Sequence, residues 1–554
     1  MSDKLDIVLA QINPIVGDIA YNCGKIAEIW EKHSDTILIV FPEMAICGYP
    51  PEDLVLKPFF IETVKSAVKD LATQCKDYKA AALIPTPWEE GGKLYNAVHL
   101  VQGGKIIETR YKYDLPNTGV FDEKRIFTAG KLPAPMELHG HKLGVMICED
   151  MWTPKVATYL QDQGAELLIS VNASPYETTK HSQRLELAKA RTDETGLPLI
   201  YVNQCGGQDE LVFDGASFVM NEGGTVILQA DEFAEDIQHT VWEKTNNGHF
   251  LCATNALTPT HEGNEAIYQA LVKGLRDYVT KNGFPGVIIG MSGGIDSALS
   301  AAIAVDALGA DAVHCVMMPS QYTSQESLTD AEECAKALGV HYESISIKEP
   351  VAAFHEVLGH HLNDQTPATT FENIQPRARG LILMAISNGT GKMVLSTGNK
   401  SEMAVGYATL YGDMCGGFNA LKDVYKTQVY ALSSHRNSHR PDHCFGPQGV
   451  VIPENIITKA PTAELKDNQK DQDSLPPYEE LDDVLHCLIE LDLGVEDIIQ
   501  RGHDKDTIIR TWRMLDIAEY KRRQAPPGVK ITSRAFGRDR RYPITNHFKK
   551  NIAE

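Results

Sequence analysis

A single cysteine, Cys148, ends an apolar segment and is followed directly by two acids, in the string GVMICED at residues 144–150. A thiol in this position can act as a nucleophile when a base takes its proton and a cation lies nearby. The alternative is a buried, inert thiol, because unpaired cysteines commonly pack as small apolar residues. The local sequence leaves both interpretations open, since it does not show which base or cation approaches the sulfur.

A second segment with the residue types for chemistry is SGGIDS at residues 292–297. Paired glycines let the backbone approach a ligand closely, and a helix start presents free N–H groups to an anion. A plain glycine turn is the alternative, but the acid, the two hydroxyls and the flanking strand and helix favour pyrophosphate binding. The Gly-Lys-Ser/Thr ending of a Walker loop is missing, so transfer of a γ-phosphate is not indicated.

The two segments fall in different halves of the chain, and each half has its own order of elements. In the first half, short apolar strands alternate with helical patterns, which predicts a layered α/β domain over residues 1–250. In the second half, the order is a strand at 286–291, the glycine turn, a helix at 298–308 and a strand at 313–318. This order begins a parallel, doubly wound sheet, and we expect that domain over residues 262–554. The polar text in between predicts a connection.

Composition limits the classes of function. A chain of 554 residues is too long for one core, and its net charge of −22 argues against a nucleic-acid surface. The eleven cysteines are scattered and never spaced CxxC, which indicates reduced thiols in the cytoplasm. No apolar run approaches the roughly eighteen residues that a membrane span needs. His355 and His360 are five residues apart and do not share a helix face, so they do not form the histidine pair of a zinc protease.

Residues 292–297 resemble the PP-loop of the N-type ATP pyrophosphatases, which adenylate a carboxylate or carbonyl group and release pyrophosphate. Within that superfamily, most of residues 262–545 resemble the NAD synthetases. This narrower resemblance is carried by four ordered strings, LSTGNKSE at 395–402, YGD at 411–413, KAPTAEL at 459–465 and KRRQAPPGVKIT at 521–532. The tRNA-modifying branch would call for a basic face and paired cysteines, and the sequence has neither.

The resemblance implies sites for ATP, for deamido-NAD and for Mg²⁺. The implied ATP-binding residues are Gly290, Met291, Ser292, Gly293, Gly294, Ile295, Asp296, Ser297, Thr397, Lys426 and Thr462. The implied deamido-NAD-binding residues are Asn373, Glu402, Asp413 and Lys521. The implied Mg²⁺ ligands are Asp296 and Glu402. Adenylation brings a carboxylate to a phosphate, so Mg²⁺ and lysines are needed to offset the repulsion.

Three features of the first half resemble the Glu–Lys–Cys triad of the nitrilase superfamily, and more narrowly the glutaminase domain of glutamine-dependent NAD synthetases. They are FPEMAICGYPP at residues 41–51, Lys112 ahead of LPN, and Cys148 ahead of Glu-Asp. The match covers about residues 4–235 and implies a four-layer α-β-β-α fold. It also implies that Cys148 attacks the glutamine carboxamide, that Lys112 stabilises the oxyanion and that Glu43 moves the protons.

The same resemblance implies that Thr118, Ser174 and Lys180 bind glutamine. Related domains usually have a tyrosine at the position of Thr118. A threonine keeps the hydroxyl but loses the reach and the apolar area of the ring, so we expect weaker binding of glutamine. A neighbouring group that fills the gap is the alternative.

The leading hypothesis is an enzyme that converts deamido-NAD, ATP and glutamine to NAD, AMP, pyrophosphate and glutamate. One alternative is another PP-loop amidotransferase, such as one that makes GMP. The other is a non-catalytic module that senses NAD or ATP, which the intact triad and phosphate loop disfavour. The expected partners are these small molecules, without nucleic acid or membrane, and the resemblance implies a homo-oligomer.

Overall fold

The computed structural model describes residues 4–245, 249–362, 365–466 and 469–548. The chain divides into two compact units, Met1–His261 and Glu262–Glu554. Residues 246–248, at the start of the predicted connection, lie outside the described residues. Among the helices described, none is both long enough and apolar enough to cross a membrane.

The first unit contains sixteen described strands and five described α-helices. The strands are β1 (Lys4–Gln11), β2 (Leu38–Val40), β3 (Ala81–Glu90), β4 (Lys93–Gln102), β5 (Lys105–Tyr111), β6 (Met136–Leu138), β7 (His141–Ile147), β8 (Leu167–Asn172), β9 (Leu199–Asn203), β10 (Cys205–Gln208), β11 (Leu211–Asp214), β12 (Phe218–Asn221), β13 (Thr225–Gln229), β14 (Asp236–Lys244), β15 (Phe250–Cys252) and β16 (Ala256–Leu257). The helices are α1 (Ile19–Lys32), α2 (Pro58–Gln74), α3 (Glu123–Ile126), α4 (Pro154–Asp162) and α5 (Lys180–Thr195).

Two seven-stranded sheets form the centre of this unit, in the orders β15-β14-β1-β2-β3-β4-β5 and β16-β13-β12-β9-β8-β7-β6. Residues along β1 alternate between two cores, because successive side chains of a strand point to opposite faces. Ile7 packs in the core shared with the second sheet, which includes Val145. Its neighbour Val8 packs with Val64 of α2. Helices α4 and α5 cover the second sheet, for example through Val156. The predicted four-layer α-β-β-α fold is therefore confirmed.

The strands β15 and β16 extend the first unit beyond residue 250, because β15 pairs with β14 and β16 pairs with β13. Both strands lie in the polar, irregular segment that the sequence predicted as a connection. Because they are only two or three residues long, they show no apolar pattern from which a strand could be predicted.

The second unit is built on five short described strands with thirteen described α-helices around them. The strands are β17 (Val287–Gly290), β18 (Val313–Met317), β19 (His341–Ser344), β20 (Met393–Ser396) and β21 (Phe418–Asn419). The helices are α6 (Gly263–Lys281), α7 (Ile295–Leu308), α8 (Gln325–Leu338), α9 (Lys348–Leu358), α10 (Ala368–Glu372), α11 (Ile374–Thr390), α12 (Lys400–Val405), α13 (Lys426–Ser438), α14 (Glu454–Thr458), α15 (Tyr478–Ile489), α16 (Val495–Gln500), α17 (Lys505–Ile517) and α18 (Glu519–Arg522).

All five strands are parallel, in the order β19-β18-β17-β20-β21, so the predicted doubly wound sheet is confirmed. The chain moves outward from β17 to β18 and β19, then returns to the other side of β17 with β20. Ligands of such sheets bind outside the carboxyl ends of the strands, where the strand order reverses. Here that position lies between the segments that follow β17 and β20.

A buried ion pair fixes the helices behind this position. Asp306 of α7 accepts hydrogen bonds from the hydroxyl of Tyr268 in α6 (2.6 Å) and from the guanidinium of Arg436 in α13 (2.5 and 3.1 Å). Because both Asp306 and Arg436 are fully buried, the loss of either one would leave an unpaired charge in the core. The pair joins the C-terminal parts of α13 and α7, the two helices whose first turns carry Lys426 and Asp296.

Candidate active sites

In the first unit, strand ends position the three predicted triad residues. Glu43 follows β2, Lys112 directly follows β5, and Cys148 directly follows β7. The exposed fractions of the three residues are 0%, 1% and 5%, so the group is shielded from bulk water. The charges of Glu43 and Lys112 both act on the Cys148 thiol. The structure thus brings together three residues that are far apart in the sequence.

Lys112 is held between two carboxylates. Its Nζ donates hydrogen bonds to Oε1 of Glu43 (2.8 Å) and to Oε1 of Glu123 (2.9 Å). Burial opposes the charged form, but the carboxylates of Glu123 and Glu43 outweigh that effect and hold the pKa of Lys112 well above its ordinary value. Glu43 also accepts hydrogen bonds from the side chain of Asn96 (2.7 Å) and the backbone N–H of Ala173 (3.0 Å), which fix both of its oxygens. These carboxylates therefore favour the charged form of Lys112 and fix its position.

Cys148 lies at a sharp turn. Its φ of +46° is in the left-handed region, which is uncommon for a residue other than glycine. The buried carboxylate of Asp150 holds this turn by accepting the N–H of Ile147 (3.1 Å). The same carboxylate accepts the N–H groups of Tyr113 (3.0 Å) and Asp114 (2.8 Å), which directly follow Lys112. Asp150 thus fastens the segment of the nucleophile to the segment of the lysine.

The surroundings of Cys148 favour the protonated thiol. Burial raises its pKa well above the ordinary value, Glu43 raises it further, and Lys112 opposes the rise. Because a thiol attacks only as the thiolate, the proton must leave during the reaction. The carboxylate of Glu43 is the base that the geometry offers.

Two of the residues predicted to bind glutamine lie near this centre. The Ser174 hydroxyl accepts a hydrogen bond from Nε of Arg184 (3.1 Å), and Arg184 is itself bound to both oxygens of Asp214 at 2.8 and 2.7 Å. Lys180 lies over the ring of Trp152, with 4.2 Å between its Nζ and the ring centroid. Burial lowers the pKa of Lys180, and the charges of Glu177, Arg184, Cys148 and Glu149 act on it.

The third of these residues, Thr118, is exposed. Its backbone carbonyl accepts the N–H of Phe121 (3.0 Å), which shapes a turn in the segment between Lys112 and Glu123. Both ends of that segment belong to the buried ion group. The structure does not bring the Thr118 side chain into contact with Cys148.

In the second unit, the predicted phosphate segment forms a loop between β17 and α7. Gly293 has a φ of +79°, and a Cβ there would lie 2.3 Å from the carbonyl oxygen of Ser327, so this position requires glycine. The Ser292 hydroxyl accepts the N–H of Gly294 (3.2 Å), and the Ser297 hydroxyl donates to the carbonyl of Gly294 (2.9 Å). These bonds shape the loop at the start of α7, where free N–H groups favour an anion.

Asp296 and Glu402, the predicted Mg²⁺ ligands, converge on one ammonium group. Nζ of Lys426 pairs with Asp296 and lies 3.3 Å from Oε1 of Glu402. Asn399 binds both acidic segments, because its Nδ2 donates to Asp296 (2.8 Å) and its Oδ1 accepts the N–H of Glu402 (3.0 Å). Burial raises the pKa of Glu402 to about 8, while Lys426 opposes the rise. Carboxylate oxygens gathered around one point are the donors that Mg²⁺ prefers, so the residues present fit this ion.

A large cavity opens at the carboxyl ends of the strands and gathers most of the predicted ligand-binding residues. Its lining includes Gly290, Met291, Ser292, Gly294, Ile295, Asp296, Ser297, Thr397, Glu402, Asp413, Lys426 and Thr462. Gly293, Asn373 and Lys521 do not contribute to that lining. The loop therefore faces the cavity with its two hydroxyls and its acid.

The segment at residues 406–413 connects the residues predicted to bind deamido-NAD. The N–H of Thr409 donates to Asp413 (2.6 Å), and its hydroxyl donates to Oδ1 of Asn373 (2.9 Å). Lys521 donates to the carbonyls of Gly406 (2.8 Å) and Ala408 (2.7 Å). Burial raises the pKa of Asp413 to about 6. Asn373 and Lys521 thus support a wall of the cavity from behind.

Comparisons with known proteins agree with this arrangement. The carbon-nitrogen hydrolase family matches residues 7–241, and the NAD synthase family matches residues 267–525. The glutamine-dependent NAD(+) synthetase of Rhodobacter capsulatus is 47% identical over 99% of this chain and 100% of its own length. The chain belongs to the glutamine-dependent NAD(+) synthetases. The resemblance that both halves of the sequence indicated is confirmed.

Solved structures of this family support the same conclusion. A glutamine-dependent NAD(+) synthetase from Acinetobacter baumannii, solved in complex with ADP, is 42% identical and has a TM-score of 0.77 over 98% of this chain and 99% of its own. The synthetase from Cytophaga hutchinsonii has a TM-score of 0.83 over 99% of both chains, but at 21% identity that likeness shows the fold alone.

Three residues of these sites were not singled out from the sequence. Glu123 is the second carboxylate on Lys112, Asp150 holds the turn at Cys148, and Lys459 donates to the carbonyl of Gly293 (3.1 Å) in the phosphate loop. Asp150 and Lys459 lie inside strings that carry the family resemblance. The contacts of Glu123 with Lys112, of Asp150 with the segment after Lys112, and of Lys459 with Gly293 join separate segments of the chain, so residue spacing alone did not predict them.

Proposed function

We propose that this chain hydrolyses glutamine to glutamate and ammonia in its first unit. In its second unit it adenylates deamido-NAD with ATP and amidates the adenylate to NAD, with release of pyrophosphate and AMP. The observation that carries the proposal is the presence of two complete reaction centres in one chain. One is the buried set of Glu43, Lys112 and Cys148. The other is the glycine loop, which shares its cavity with Glu402 and Lys426.

The glutaminase step follows from the buried set. Glu43 takes the proton of Cys148, and the sulfur attacks the carboxamide carbon to give a tetrahedral oxyanion. The ammonium of Lys112 stabilises that charge, because it stays protonated between its two carboxylates. Glu43 then gives its proton to the departing nitrogen, so the products are ammonia and a thioester. Glu43 next takes a proton from water, whose oxygen attacks the thioester and releases glutamate and the thiol.

Ser174 and Lys180 are proposed to hold the glutamine. The buried Arg184 fixes the Ser174 hydroxyl, and the partly buried ammonium of Lys180 suits a carboxylate. Thr118 is proposed at the rim of this site, where it would contribute less than a tyrosine would. These three assignments rest on the resemblance together with the positions of the side chains.

In the second unit, the loop amides of residues 292–297 are proposed to bind the pyrophosphate portion of ATP. Lys426 and Thr462 are proposed to meet the phosphates of ATP, and Thr397 is proposed to contact the nucleotide. The residues proposed to hold deamido-NAD are Asn373, Glu402, Asp413 and Lys521. Mg²⁺, held by Asp296 and Glu402, would supply positive charge between the two anionic substrates. Because Lys426 already bridges these two carboxylates, its ammonium can turn to a phosphate oxygen when they bind the ion.

We also propose a cellular compartment, a class of binding partners and an oligomeric state for the protein. The eleven cysteines, all among the described residues, are not joined in disulfides, which supports a reducing compartment such as the cytoplasm. The net charge of −22 supports small-molecule substrates over nucleic acid. A homo-oligomer is proposed from the resemblance alone.

The deciding experiment incubates the purified chain with ATP, Mg²⁺, deamido-NAD and glutamine. NAD, AMP, pyrophosphate and glutamate should form in equal amounts. The purine nucleotide precursor of GMP should release no pyrophosphate in place of deamido-NAD. Formation of ADP, or turnover driven by the GMP precursor, would refute the proposal.

A further inference from the structure

Three side chains with metal-binding atoms meet on the sheet of the second unit, away from the phosphate loop. His314 belongs to β18, and His341 and Glu343 belong to β19, where His314 pairs directly with His341. Residues two apart on a strand point to the same face, so all three side chains lie on one face of two neighbouring strands. His314 and His341 lie near the amino-terminal ends of these strands, whereas the phosphate loop leaves the carboxyl end of β17.

The spacing of the three groups suits a single ion. One ligand atom from each residue can be chosen so that all lie within 4.8 Å of one another. The Nε2 of His314 and the Oε1 of Glu343 are 2.9 Å apart, and the two imidazole centroids are 4.3 Å apart. Ligands of a tetrahedral zinc ion lie about 2.0–2.2 Å from the metal, hence about 3.3 Å from each other. Small rotations of the exposed side chains are enough to reach that geometry.

His314 meets this carboxylate from a buried position. Its side chain is only 9% exposed, and its Nε2 faces Oε1 of Glu343. In a neutral ring, Nε2 either donates to the carboxylate or offers its lone pair to a cation that the carboxylate also binds. The carboxylate of Glu343 is 40% exposed and His341 is exposed, so an ion can reach the site from solvent.

We propose that His314, His341 and Glu343 bind one divalent transition-metal ion of the zinc class, with water as the fourth ligand. Two imidazoles and one carboxylate are a common zinc ligand set, whereas Mg²⁺ prefers oxygen ligands alone. The ion would fasten β19, an edge strand of the sheet, to β18. The ammonium of Lys392 also acts on His314, so we expect a moderate affinity.

The histidines that the sequence singled out, His355 and His360, provide the matched control. Both are exposed, and neither belongs to the cluster. Replacing them shows how much metal is bound nonspecifically by exposed histidines. The variants that test the site are His341→Ala and Glu343→Gln, because both side chains are solvent-accessible and their loss leaves the core of the sheet intact.

The experiment titrates the full chain with Zn²⁺ by calorimetry, and with Co²⁺ by absorption, in an excess of Mg²⁺ that keeps the acidic active-site groups occupied. The wild type and the His355→Ala/His360→Ala double variant should bind one equivalent with nitrogen and oxygen ligands, without thiolate-to-cobalt charge transfer. His341→Ala and Glu343→Gln should bind that equivalent at least tenfold more weakly. Equal binding by all four proteins, or no stoichiometric uptake by the wild type, would overturn the proposal.

Discussion

The two candidate active sites differ in how their charged groups are paired and in how open they are to solvent. In the first unit, Glu43, Lys112 and Glu123 form a buried ion group in which every charge has a partner before a substrate arrives. In the second unit, the loop and the acidic pair lie around a wide cavity, and one ammonium, that of Lys426, serves two carboxylates. A small, neutral amide needs fixed charges in a dry pocket. Two large anions need open space and cations that can exchange partners.

The largest effect that would test this comparison comes from the nucleophile. Cys148→Ala removes the only atom proposed to form a bond to glutamine, so glutamine-supported synthesis of NAD should fall by roughly a thousandfold or more. Synthesis from ammonium salts should stay within about twofold, because the second site is untouched. Both rates are measured as NAD formed. Cys23→Ala, at a half-buried thiol of α1, is the control. Equal losses with both nitrogen sources would refute the separation of the two sites.

Loss of Asp296, the acid of the phosphate loop, should reduce synthesis from both nitrogen sources, unlike loss of Cys148. Asp296→Ala removes one of the two carboxylates proposed to hold Mg²⁺, so NAD formation should fall about 10²–10³-fold with either nitrogen source. The rate of glutamine hydrolysis measured alone should keep its wild-type dependence on glutamine concentration. Asp311→Ala, at an exposed acid of the same unit, is the matched control. A loss confined to glutamine-supported synthesis would contradict the assignment.

A substitution at Asp150 tests whether glutamine hydrolysis depends on the fixed positions of Cys148 and Lys112. An asparagine there keeps one acceptor oxygen but turns an NH₂ group toward a backbone N–H, which costs about 1–3 kcal/mol in that contact. The kcat for glutamine hydrolysis should fall roughly tenfold to a hundredfold in Asp150→Asn, because Cys148 and Lys112 lose their common anchor. Asp162→Asn, at an exposed position of α4, should behave as wild type. A raised KM at unchanged kcat would show that Asp150 acts on binding instead.

The protonation of Cys148 can be measured directly. Because burial raises the pKa of its thiol, the thiolate fraction at pH 7 is far below that of an exposed thiol. The rate of alkylation at Cys148 should therefore rise about tenfold per pH unit between pH 7 and 9 without levelling off. A reference peptide thiol should level off in that range. Mass spectrometry of the Cys148 peptide provides the rates, and a plateau below pH 9 would contradict the pKa direction.

The smallest expected effect concerns the rim of the first site. Thr118 is exposed, so a tyrosine can be accommodated there, and its ring could cover bound glutamine. A regained contact of about 1–2 kcal/mol corresponds to a roughly tenfold lower KM for glutamine in Thr118→Tyr. Ammonia-supported synthesis should not change. An unchanged or higher KM would show that Thr118 is not a weakened substrate contact.

The sequence predicted the fold of both units well, because their patterns are local. The apolar runs at residues 143–147 and 167–171 became β7 and β8, since strands buried on both faces are almost continuously apolar. Short strands in polar text were missed. For β15 and β16, pairing with existing strand edges compensates for the weak local preference.

By itself, the sequence determined the residue types and the strings that carry the chemistry, including Cys148 with its two acids and the loop at residues 292–297. The glycine at position 293 is also set by the sequence, because its positive φ is a backbone conformation that glycine adopts readily. The tertiary structure decided which charges meet. Lys112 lies 69 residues from Glu43, and Lys426 lies 130 residues from Asp296, so only the packing of strands and helices creates these pairs. Electrostatic energy depends on distance in space and on burial, and neither quantity is encoded in local spacing.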